Sequence, residues 1–321
     1  MKILGLSFGR RLGNTEVFIK EALMGAEEYG AEVEFIRVLD LEIKPCIGCH
    51  VCTQHLHFGK GEPGCSIKDD FAWLDDKVLE ADGVIIGTPI YDKAPNGLEK
   101  VLNDRMSSSH DLLFNLNAKK RRQELGITEG KGPDERFFKP RTAGLIAVGG
   151  SDWTTMGLPM LQLLIMPMQM TLVDQHTFGW TAHPKGVAAI MEEKLERARN
   201  IGRHVTEALT KPIEEAQYYG DPGTCPVCHT RVIEIEPGKP KARCAICGVQ
   251  GTLKMESNQI IMEVSAAERE HSHWLLSGKQ EHQNDLNKLF AKAREVDESG
   301  VLPAKLEKYR SYLTYSKPPK Q

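Results

Sequence analysis

The 321-residue sequence predicts an α/β fold built on a doubly wound, five-stranded parallel sheet, followed by a small cysteine-rich domain and a helical C-terminal extension. Two observations support this. Over residues 1–210, five strand-like segments alternate with amphipathic helical segments, and helical crossovers make consecutive strands parallel. Near Pro212 the alternation stops, and short strand-like segments surround a cluster of cysteines. We therefore expect a first domain at 1–210, a second at 211–264 and a helical extension at 265–321.

The predicted strands are short segments rich in apolar residues. The first, KILGLS, is mostly apolar, and the second, AEVEFIRV, alternates apolar and polar residues as a half-buried strand does. The third, GVIIGTPIY, has the continuous apolar run of a buried strand. RTAGLIAVGG and MTLVDQHTFG follow as the fourth and fifth. Together the strands are predicted at residues 2–7, 31–38, 83–91, 141–150 and 170–179.

The predicted helices carry apolar residues at a spacing of three and four. In the first, Val17, Phe18, Ala22 and Ala26 share one face, and Gly30 supplies a stop signal. The five helices of the first domain are predicted at residues 14–29, 71–81, 97–106, 155–166 and 187–209. The charged segment that begins at residue 265 is also predicted to be helical, and its last six residues, SKPPKQ, to be a frayed tail.

Two insertions interrupt the alternation. One is a cysteine-rich segment that follows the second strand, and the other is the polar segment 107–140, whose basic run AKKRRQE is typical of a solvated helix face. Asp69 and Asp70 close the first insertion just before a helix, where Asp is a favoured cap. We therefore expect a capping role for these two acids and no catalytic one.

The composition is that of an ordinary globular protein, with 40% apolar residues, 26% charged residues and a net charge of −3. This balance gives no reason to expect nucleic acid or an anionic membrane as a partner. The N-terminal segment runs from a strand into a polar loop, unlike a signal peptide, and no apolar run reaches about 18 residues. We therefore expect no membrane span and a cytoplasmic location.

The eight cysteines fall into two tight groups. In a reducing cytosol clustered thiols more often hold metal than form disulfides, so each group is a candidate metal site. The first contains the run C-x2-C-x2-C, which is typical of iron–sulfur ligation and predicts a [4Fe–4S] cluster. Its four cysteines are Cys46, Cys49, Cys52 and Cys65. Two alternatives stay open: no metal, or a zinc site that uses one of His50, His55 and His57.

The second group has the spacing C-x2-C-x15-C-x2-C, which is a strong zinc signal and resembles a zinc ribbon. Its members are Cys225, Cys228, Cys244 and Cys247. A rubredoxin-like iron site shares this two-knuckle pattern and is the alternative. Few basic residues lie nearby, so a folding staple or a dimer contact is favoured over a nucleic-acid reader.

A loop of small and polar residues, LSFGRRLGNTE, joins the first strand to the first helix. Backbone N–H groups and the positive end of the helix dipole at such a position suit a phosphate. The loop is neither a Walker A sequence nor a G-x-G-x-x-G fingerprint. The alternative interpretation is that Asn14 or Thr15 only caps the helix. The candidate anion contacts are Ser7, Arg10, Gly13, Asn14 and Thr15.

Two further loops leave the predicted sheet at the same edge, where ligands of doubly wound sheets bind. TPIYDKAPNG follows the third strand and offers a rigid turn beside Tyr91, and VGGSDW follows the fourth strand and allows close backbone approach at Gly149 and Gly150. A flat, partly apolar ring over these loops, with its phosphate on the first loop, would explain all three.

On these motifs the first 210 residues resemble the NAD(P)H-dependent FMN reductase family of flavodoxin-like proteins. The matching motifs are S-x5-GNT at Ser7–Thr15 and TPIY at Thr88–Tyr91, while PCIGCHVC…GCSIKDDF resembles the iron–sulfur flavoprotein branch. The interval between Cys52 and Cys65 is longer here than in that branch. The resemblance implies a homodimer or homotetramer. It also implies FMN held by Ser7, Arg10, Gly13, Asn14 and Thr15 at the phosphate, and by Pro89, Ile90, Tyr91, Asn96, Gly149 and Gly150 around the ring.

The resemblance implies an FMN-dependent oxidoreductase that passes electrons from NAD(P)H to a quinone-like, aromatic or protein acceptor. A flavin accepts a hydride and releases single electrons, so a cluster beside it would have a function, and no catalytic side chain is required. The first alternative is an electron carrier that is reduced by ferredoxin and has no small-molecule substrate. The second is a redox-sensing binding protein whose ribbon docks a partner.

Overall fold

A computed structural model describes residues 1–59, 64–183, 185–310 and 312–313. The first domain contains the predicted five-stranded parallel sheet, in the order β2-β1-β3-β5-β6, and a short strand, β4, that pairs antiparallel with the end of β3. This order is that of a flavodoxin-like fold. The strands are β1 (Lys2–Ser7), β2 (Glu32–Arg37), β3 (Gly83–Tyr91), β4 (Ala94–Pro95), β5 (Thr142–Val148) and β6 (Thr171–Phe178).

Helices cover both faces of this sheet. They are α1 (Asn14–Glu28), α2 (Val51–Phe58), α3 (Phe71–Glu80), α4 (Gly97–His110), α5 (Leu112–Glu124), α6 (Gly157–Ile165) and α7 (Glu192–Glu207). The apolar sides of α1 and α7 pack on one face of the sheet, and those of α3, α4 and α6 pack on the other. The result is a three-layer sandwich with a core on each side of the sheet.

Close contact between α1 and α7 fixes the position of α1. A Cβ atom built on Gly202 would lie 1.7 Å from the carbonyl oxygen of Ala22, and one on Gly25 would lie 2.0 Å from that of Arg199. Only glycine at these two positions lets the backbones approach so closely. Because α1 begins at the carboxyl edge of the sheet, this packing also sets where its N-terminus lies.

Three segments differ from the sequence prediction. The predicted helix 187–209 is a 3₁₀ turn at Val187–Ile190 followed by α7, because Met191 leaves helical geometry with ψ at 71°. The insertion 107–140, predicted only as a polar segment, contains the end of α4, all of α5 and a 3₁₀ turn at Glu135–Phe138. Short helix α2 lies inside the cysteine-rich segment.

The second domain is a four-stranded antiparallel sheet in the order β10-β9-β8-β7. Its strands are β7 (Ile233–Ile235), β8 (Lys241–Cys244), β9 (Gln250–Glu256) and β10 (Gln259–Glu263). The second cysteine group lies at one end of this sheet and forms a small core with Ile246, Val249 and Met262. Leu163 and Met166, from the end of α6, pack against that core. The second domain, called the ribbon below, is therefore joined to the parallel-sheet domain by apolar contact.

The C-terminal extension is helical as predicted, but it is divided into α8 (Ala266–Arg269), α9 (Leu276–Glu298) and α10 (Val301–Arg310). The break before α9 places Trp274 against the cores of both domains, and the main-chain oxygen of Trp274 accepts a hydrogen bond from Gln169 Nε2 at 2.8 Å. The predicted frayed tail, 316–321, lies outside the described residues. Within the described part of the chain, no helix combines the length and apolar character needed to cross a membrane.

Candidate functional site

A cleft of about 370 Å³ opens at the carboxyl edge of the parallel sheet. Loops that follow β1, β3, β5 and β6 form its walls, so the three loops predicted from the sequence meet here as expected. The loop after β6 is an addition to that prediction. The lining residues are Gly9, Arg10, Gly13, Asn14, Thr15, Pro89, Ile90, Tyr91, Val148, Gly150, Thr181, Ala182 and His183.

The N-terminus of α1 faces this cleft. Gly13 is the N-cap residue and forms no side-chain cap hydrogen bond, so the alternative in which Asn14 or Thr15 caps the helix is wrong. A side chain on Gly9 would place its Cβ 2.7 Å from the Cβ of Thr15, so the loop closes tightly only with glycine there. The free N–H groups of the first turn and the exposed guanidinium of Arg10 give this end of the cleft a positive potential suited to a phosphate.

Asn14 links two walls of the cleft through its side chain. Its Nδ2 donates to the carbonyl oxygen of Thr181 at 2.6 Å, and its Oδ1 accepts from the backbone N–H of Ala188 at 3.0 Å. The side-chain amide is therefore committed to the loop after β6. Any contact of Asn14 with an anion is left to its backbone N–H.

Three other predicted residues, Ser7, Asn96 and Gly149, lie behind the lining of the cleft. Ser7 is fully buried, and its Oγ accepts a hydrogen bond from the N–H of Gly9 at 3.2 Å. Asn96 Nδ2 donates to the carbonyl oxygen of Phe8 at 2.7 Å. The carbonyl oxygen of Gly149 accepts from Thr181 N–H at 3.2 Å and Thr181 Oγ1 at 3.0 Å. In this structure these three residues hold the loops in place, and neighbouring residues form the surface of the cleft.

Aromatic side chains lie exposed in the loops of this edge. Tyr91, Trp153 and Trp180 are 64%, 61% and 69% exposed, and the Nζ of Lys93 lies 5.2 Å from the ring centre of Trp153. Large exposed aromatics in the loops of a binding edge are typical of ligand or subunit contacts. They give the carboxyl edge an apolar rim around its polar end.

The first cysteine group lines a second cleft of about 330 Å³, and all four predicted cysteines contribute to it. Cys46 and Cys49 are exposed, whereas Cys52 and Cys65 are half-buried. The hydroxyl of Ser66, 3.4 Å from the sulfur of Cys49, lowers the pKa of that thiol, and burial raises the pKa of Cys52. The fold thus brings together cysteines that are up to 19 residues apart in the sequence, from Cys46 to Cys65.

Of the histidines considered as alternative ligands, His50 lines this cleft. His57 instead packs edge-on against Phe114, with the ring centres 4.4 Å apart, and among the described residues neither of its ring nitrogens has a hydrogen-bond partner. A zinc site that included His57 would require this ring to leave its apolar contact.

A buried ion pair supports the first cysteine cleft from behind. Arg105 Nη1 and Nη2 donate to the two carboxylate oxygens of Asp69 at 2.6 and 3.1 Å, and Nη1 also donates to the carbonyl oxygen of Lys44 at 2.8 Å. Arg105 lines the cleft, and its Nε is buried without a hydrogen-bond partner in the part of the chain that the structure describes. The guanidinium hydrogen bond and the neighbouring N–H donors of Lys44 and Phe71 lower the pKa of Asp69 despite its burial.

This geometry corrects the capping roles expected for Asp69 and Asp70. Asp69 does accept from the N–H of Phe71, at 3.1 Å, but its main partner is Arg105. Asp70 is the N-cap residue of α3 without a side-chain cap hydrogen bond, and its carboxylate accepts from the N–H of Glu42 at 2.7 Å. Asp69 and Asp70 therefore join the two ends of the cysteine-rich segment, and Asp69 also attaches it to α4 through Arg105, which the sequence pattern could not show.

The second cysteine group is a four-cysteine metal-binding group. Its sulfur atoms all lie within 4.8 Å of one another, and all four residues are buried. Contact with Cys225, the other two sulfurs and burial raise the pKa of Cys228, so four thiolates this close need a cation to balance their charge. Backbone N–H groups of Val227 and Ile246 point at the sulfurs of Cys225 and Cys244 at 3.5 and 3.4 Å, as in metal-binding knuckles.

The sequence reasoning missed two features of these clefts, the wall Thr181–His183 and the ion pair of Arg105 with Asp69. The first could have been found, because it follows the fifth predicted strand and so belongs to the same carboxyl edge. The second joins residues 36 positions apart on an insertion and a helix, and no local signal marks such a pair.

Comparison with known proteins agrees with this geometry. The family described as NADPH-dependent FMN reductase matches residues 1–183. A flavone reductase of solved structure is 35% identical, has a TM-score of 0.85 and aligns over 99% of this chain and 100% of its own. A flavone synthase from Aspergillus candidus is 29% identical over 300 residues, 89% of this chain and 88% of the relative. An iron–sulfur flavoprotein from Methanocaldococcus jannaschii is 42% identical over 218 residues, 65% of this chain and 97% of the relative.

Proposed function

Because this chain belongs to the NADPH-dependent FMN reductase family, in its iron–sulfur flavoprotein branch, and is an FMN-dependent oxidoreductase, we propose that it passes electrons from NAD(P)H through FMN to a planar aromatic acceptor of the flavone type. The carboxyl-edge cleft is the observation that carries this proposal, since it combines a phosphate-binding helix end with glycine-lined loops and aromatic side chains. A quinone-like acceptor has similar flat chemistry and is tested beside it.

The residues present fit FMN. Arg10 and the backbone N–H groups that begin at Asn14 would hold the phosphate, since the N–H of Gly13 already donates to the carbonyl oxygen of Arg10 at 3.0 Å. The backbone of Pro89–Tyr91 would hold the ring. A Cβ on Gly150 would lie 3.2 Å from the Cβ of Ala182, which supports a loop shaped for close approach. When bound, FMN accepts a hydride from a nicotinamide and can return the electrons singly or as a pair. The chain's part is to bind, orient and shield it.

The two named relatives that span most of this chain support the aromatic acceptor, since one is a flavone reductase and the other a flavone synthase. A flavone is a flat, largely apolar molecule. The apolar rim formed by Tyr91, Trp153 and Trp180 suits such a surface. The same exposed aromatics support the homo-oligomer that the family resemblance implies, because they would be covered by a second copy.

For the first cysteine group we propose a [4Fe–4S] cluster. A cube separates its thiolate ligands by the irons between them, whereas one tetrahedral ion draws four sulfurs together. The ribbon cysteines form a compact group, and among the residues that the structure describes no second group of His, Cys, Asp or Glu is as compact. The first group has instead the C-x2-C-x2-C run that is typical of iron–sulfur ligation, and all four of its cysteines line one cleft, which favours a cluster there.

For the ribbon we propose zinc. Its four sulfurs are closed from solvent, and their surroundings are apolar, with Ile246, Val249 and Met262 in the same core. A closed four-cysteine site is typical of structural zinc, which stabilises a small domain that could not fold on its own core alone. Iron bound as in rubredoxin would instead give the purified protein a visible absorbance from this site.

The test uses anaerobically purified, FMN-loaded protein. We expect NADPH or NADH to be oxidised only when a flavone or a quinone is supplied, and metal analysis to give about four irons and one zinc per chain. Arg10→Ala should weaken FMN binding at least tenfold, whereas Arg11→Ala, a neighbouring arginine outside the cleft, should leave it unchanged. Equal losses in both variants would contradict the phosphate assignment, and no acceptor-dependent oxidation would contradict the reaction.

One observation favours a second candidate, an electron carrier that is reduced by ferredoxin. Cys46 and Cys49 are exposed, so a cluster on these thiols would lie close to the surface and within reach of another protein's redox centre. Reduction of the flavin by reduced ferredoxin, without reduction by either nicotinamide, would support this alternative over the first.

A further inference from the structure

A separate cavity of about 510 Å³ lies between the carboxyl edge of the parallel sheet and the ribbon. Ser151 and Gly179, in the loops after β5 and β6, line this cavity, while the neighbouring Gly150 and Thr181 line the carboxyl-edge cleft. The opposite wall comes from His229–Val232 of the ribbon. The cavity is therefore formed by both domains, and it has the size of a small-molecule site.

Two glutamines that line this cavity are almost fully buried. Gln162 is 0% exposed and Gln175 is 2% exposed. Gln162 Nε2 donates to the Oε1 of Gln175 at 3.0 Å and to the carbonyl oxygen of Cys228 at 2.9 Å. Both partners are acceptors, so the amide of Gln162 cannot be turned around without placing two oxygens against its own. The Oε1 of Gln162 therefore points away from Gln175 and Cys228.

The neighbouring groups fix the orientation of Gln175 in the same way. Gln175 Nε2 donates to the carbonyl oxygen of His229 at 3.1 Å and to the hydroxyl of Tyr218 at 2.9 Å, and that hydroxyl donates to the carbonyl oxygen of Asp221 at 2.7 Å. Every proton in this chain of hydrogen bonds is committed. In the described part of the molecule, Gln162 Oε1 has no donor, although it is buried.

A buried acceptor without a donor is costly, and native proteins usually satisfy it with a ligand, water or side chain. The rest of the wall indicates which kind of ligand. Leu158, Pro159 and Val232 give apolar surface, and Trp180 gives a flat aromatic face at the edge. A ligand that satisfies this wall is flat and apolar and carries a hydrogen-bond donor at one end.

We propose that this inter-domain cavity binds a planar hydroxylated aromatic molecule whose hydroxyl donates a hydrogen bond to Gln162 Oε1. That the occupant is the electron acceptor rests on the proposed function; the donor requirement rests on the geometry alone. The ribbon then has a role beyond its own folding, because the carbonyl oxygens of Cys228 and His229, on its first metal knuckle, hold both glutamines in place.

The experiment measures binding to FMN-loaded, metal-replete protein without any nicotinamide, by quenching of tryptophan fluorescence. The probes are flavone and its monohydroxylated derivatives. At least one derivative should bind the wild type about tenfold or more tightly than flavone itself, because a site built for a hydroxyl rejects the analogue that lacks it. In Gln162→Leu this preference should fall to about one, while the affinity for flavone changes little.

Two further variants make the result specific. Gln259→Leu alters an exposed glutamine on β10 and should keep the hydroxyl preference, whereas Leu158→Trp should fill the cavity and abolish binding of every probe while FMN and metal contents stay normal. A hydroxyl preference that survives in Gln162→Leu, or probe binding that survives in Leu158→Trp, would overturn the inference. Binding that meets all these expectations without flavone reduction would leave the cavity assignment standing and refute only the proposed acceptor.

Discussion

Glu99 is a buried acid whose charge the fold does not balance, and it gives the sharpest stability prediction. It lies in the first turn of α4, is 0% exposed, and neither carboxylate oxygen has a hydrogen-bond partner among the described residues. Burial raises its pKa from 4.5 to about 7; the positive charge of Lys100 opposes this rise, and the negative charge of Asp104 adds to it. The variant Glu99→Gln removes the ionisation and keeps the size of the side chain.

The sign follows from proton binding. Between pH 4.5 and about 7 the folded chain keeps a proton on Glu99 that the unfolded chain has lost, so the free energy of unfolding falls as the pH rises through this window. At 1.36 kcal/mol per pKa unit, the difference between 4.5 and about 7 corresponds to about 3 kcal/mol. Below pH 4.5 this loss of unfolding free energy is absent, and above about pH 7.5 it is complete.

The assay compares the thermal midpoints of wild type and Glu99→Gln at pH 4.5 and pH 8. Between these pH values, we expect the free energy of unfolding of the variant to rise relative to that of the wild type by about 3 kcal/mol. This corresponds to roughly 6 to 12 °C in the thermal midpoint for a domain of this size. Glu27→Gln, on the exposed side of α1, should show no such gain. A midpoint difference between Glu99→Gln and wild type that is the same at both pH values would refute the reasoning.

Three other changes test the packing, the cluster and the ribbon. Gly202→Ala should destabilise the fold by about 2 kcal/mol and weaken FMN binding, because the new Cβ would meet the carbonyl oxygen of Ala22 and displace α1. The control for both measurements is Gly97→Ala, whose Cβ would meet no atom within 4 Å. Arg105→Lys keeps a positive charge but removes the buried Nε–H. It should lower the reduction potential of the proposed cluster by about 60 mV in an anaerobic redox titration. An unchanged potential would show that Arg105 does not influence the cluster. Cys247→Ser should remove the ribbon's metal, measured by metal analysis, while the first domain retains FMN; simultaneous loss of both would show that the domains fold as one unit.

The parallel-sheet domain was largely predictable because the local sequence of each strand is enough to identify it. Residues 2–7 and 83–91 are strands with the predicted bounds, since each is an apolar run that ends at a loop of small or polar residues. Helix bounds were less exact. Thr155 and Met156 were assigned to a helix that begins at Gly157, and His110 extends a helix predicted to stop at Met106. Tertiary contacts set those ends, and periodicity does not encode them.

The candidate site was predictable where topology alone decides position. Parallel strands present their carboxyl ends at one edge, so the loops that carry Arg10, Tyr91 and Gly150 could be placed together before any side chain was seen. Which residues form the surface was not predictable. Ser7 belongs to a family motif, and Asn96 is an FMN contact that the resemblance implies. Their side chains are nevertheless committed to backbone groups of the loop after β1, because a tight loop must satisfy its own polar atoms first.

The two metal knuckles of the ribbon differ in a way that links its sequence to the inter-domain cavity. The residue after the second cysteine of each knuckle has a positive φ, 81° at Gly248 but 59° at His229. Glycine adopts this conformation without cost, whereas a histidine there costs about 1 kcal/mol or more. His229 stacks on Tyr218 with ring centres 3.7 Å apart, and its carbonyl oxygen holds Gln175. The contacts of His229 with Tyr218 and Gln175 offset this cost, and they connect the first knuckle to the residues that line the inter-domain cavity.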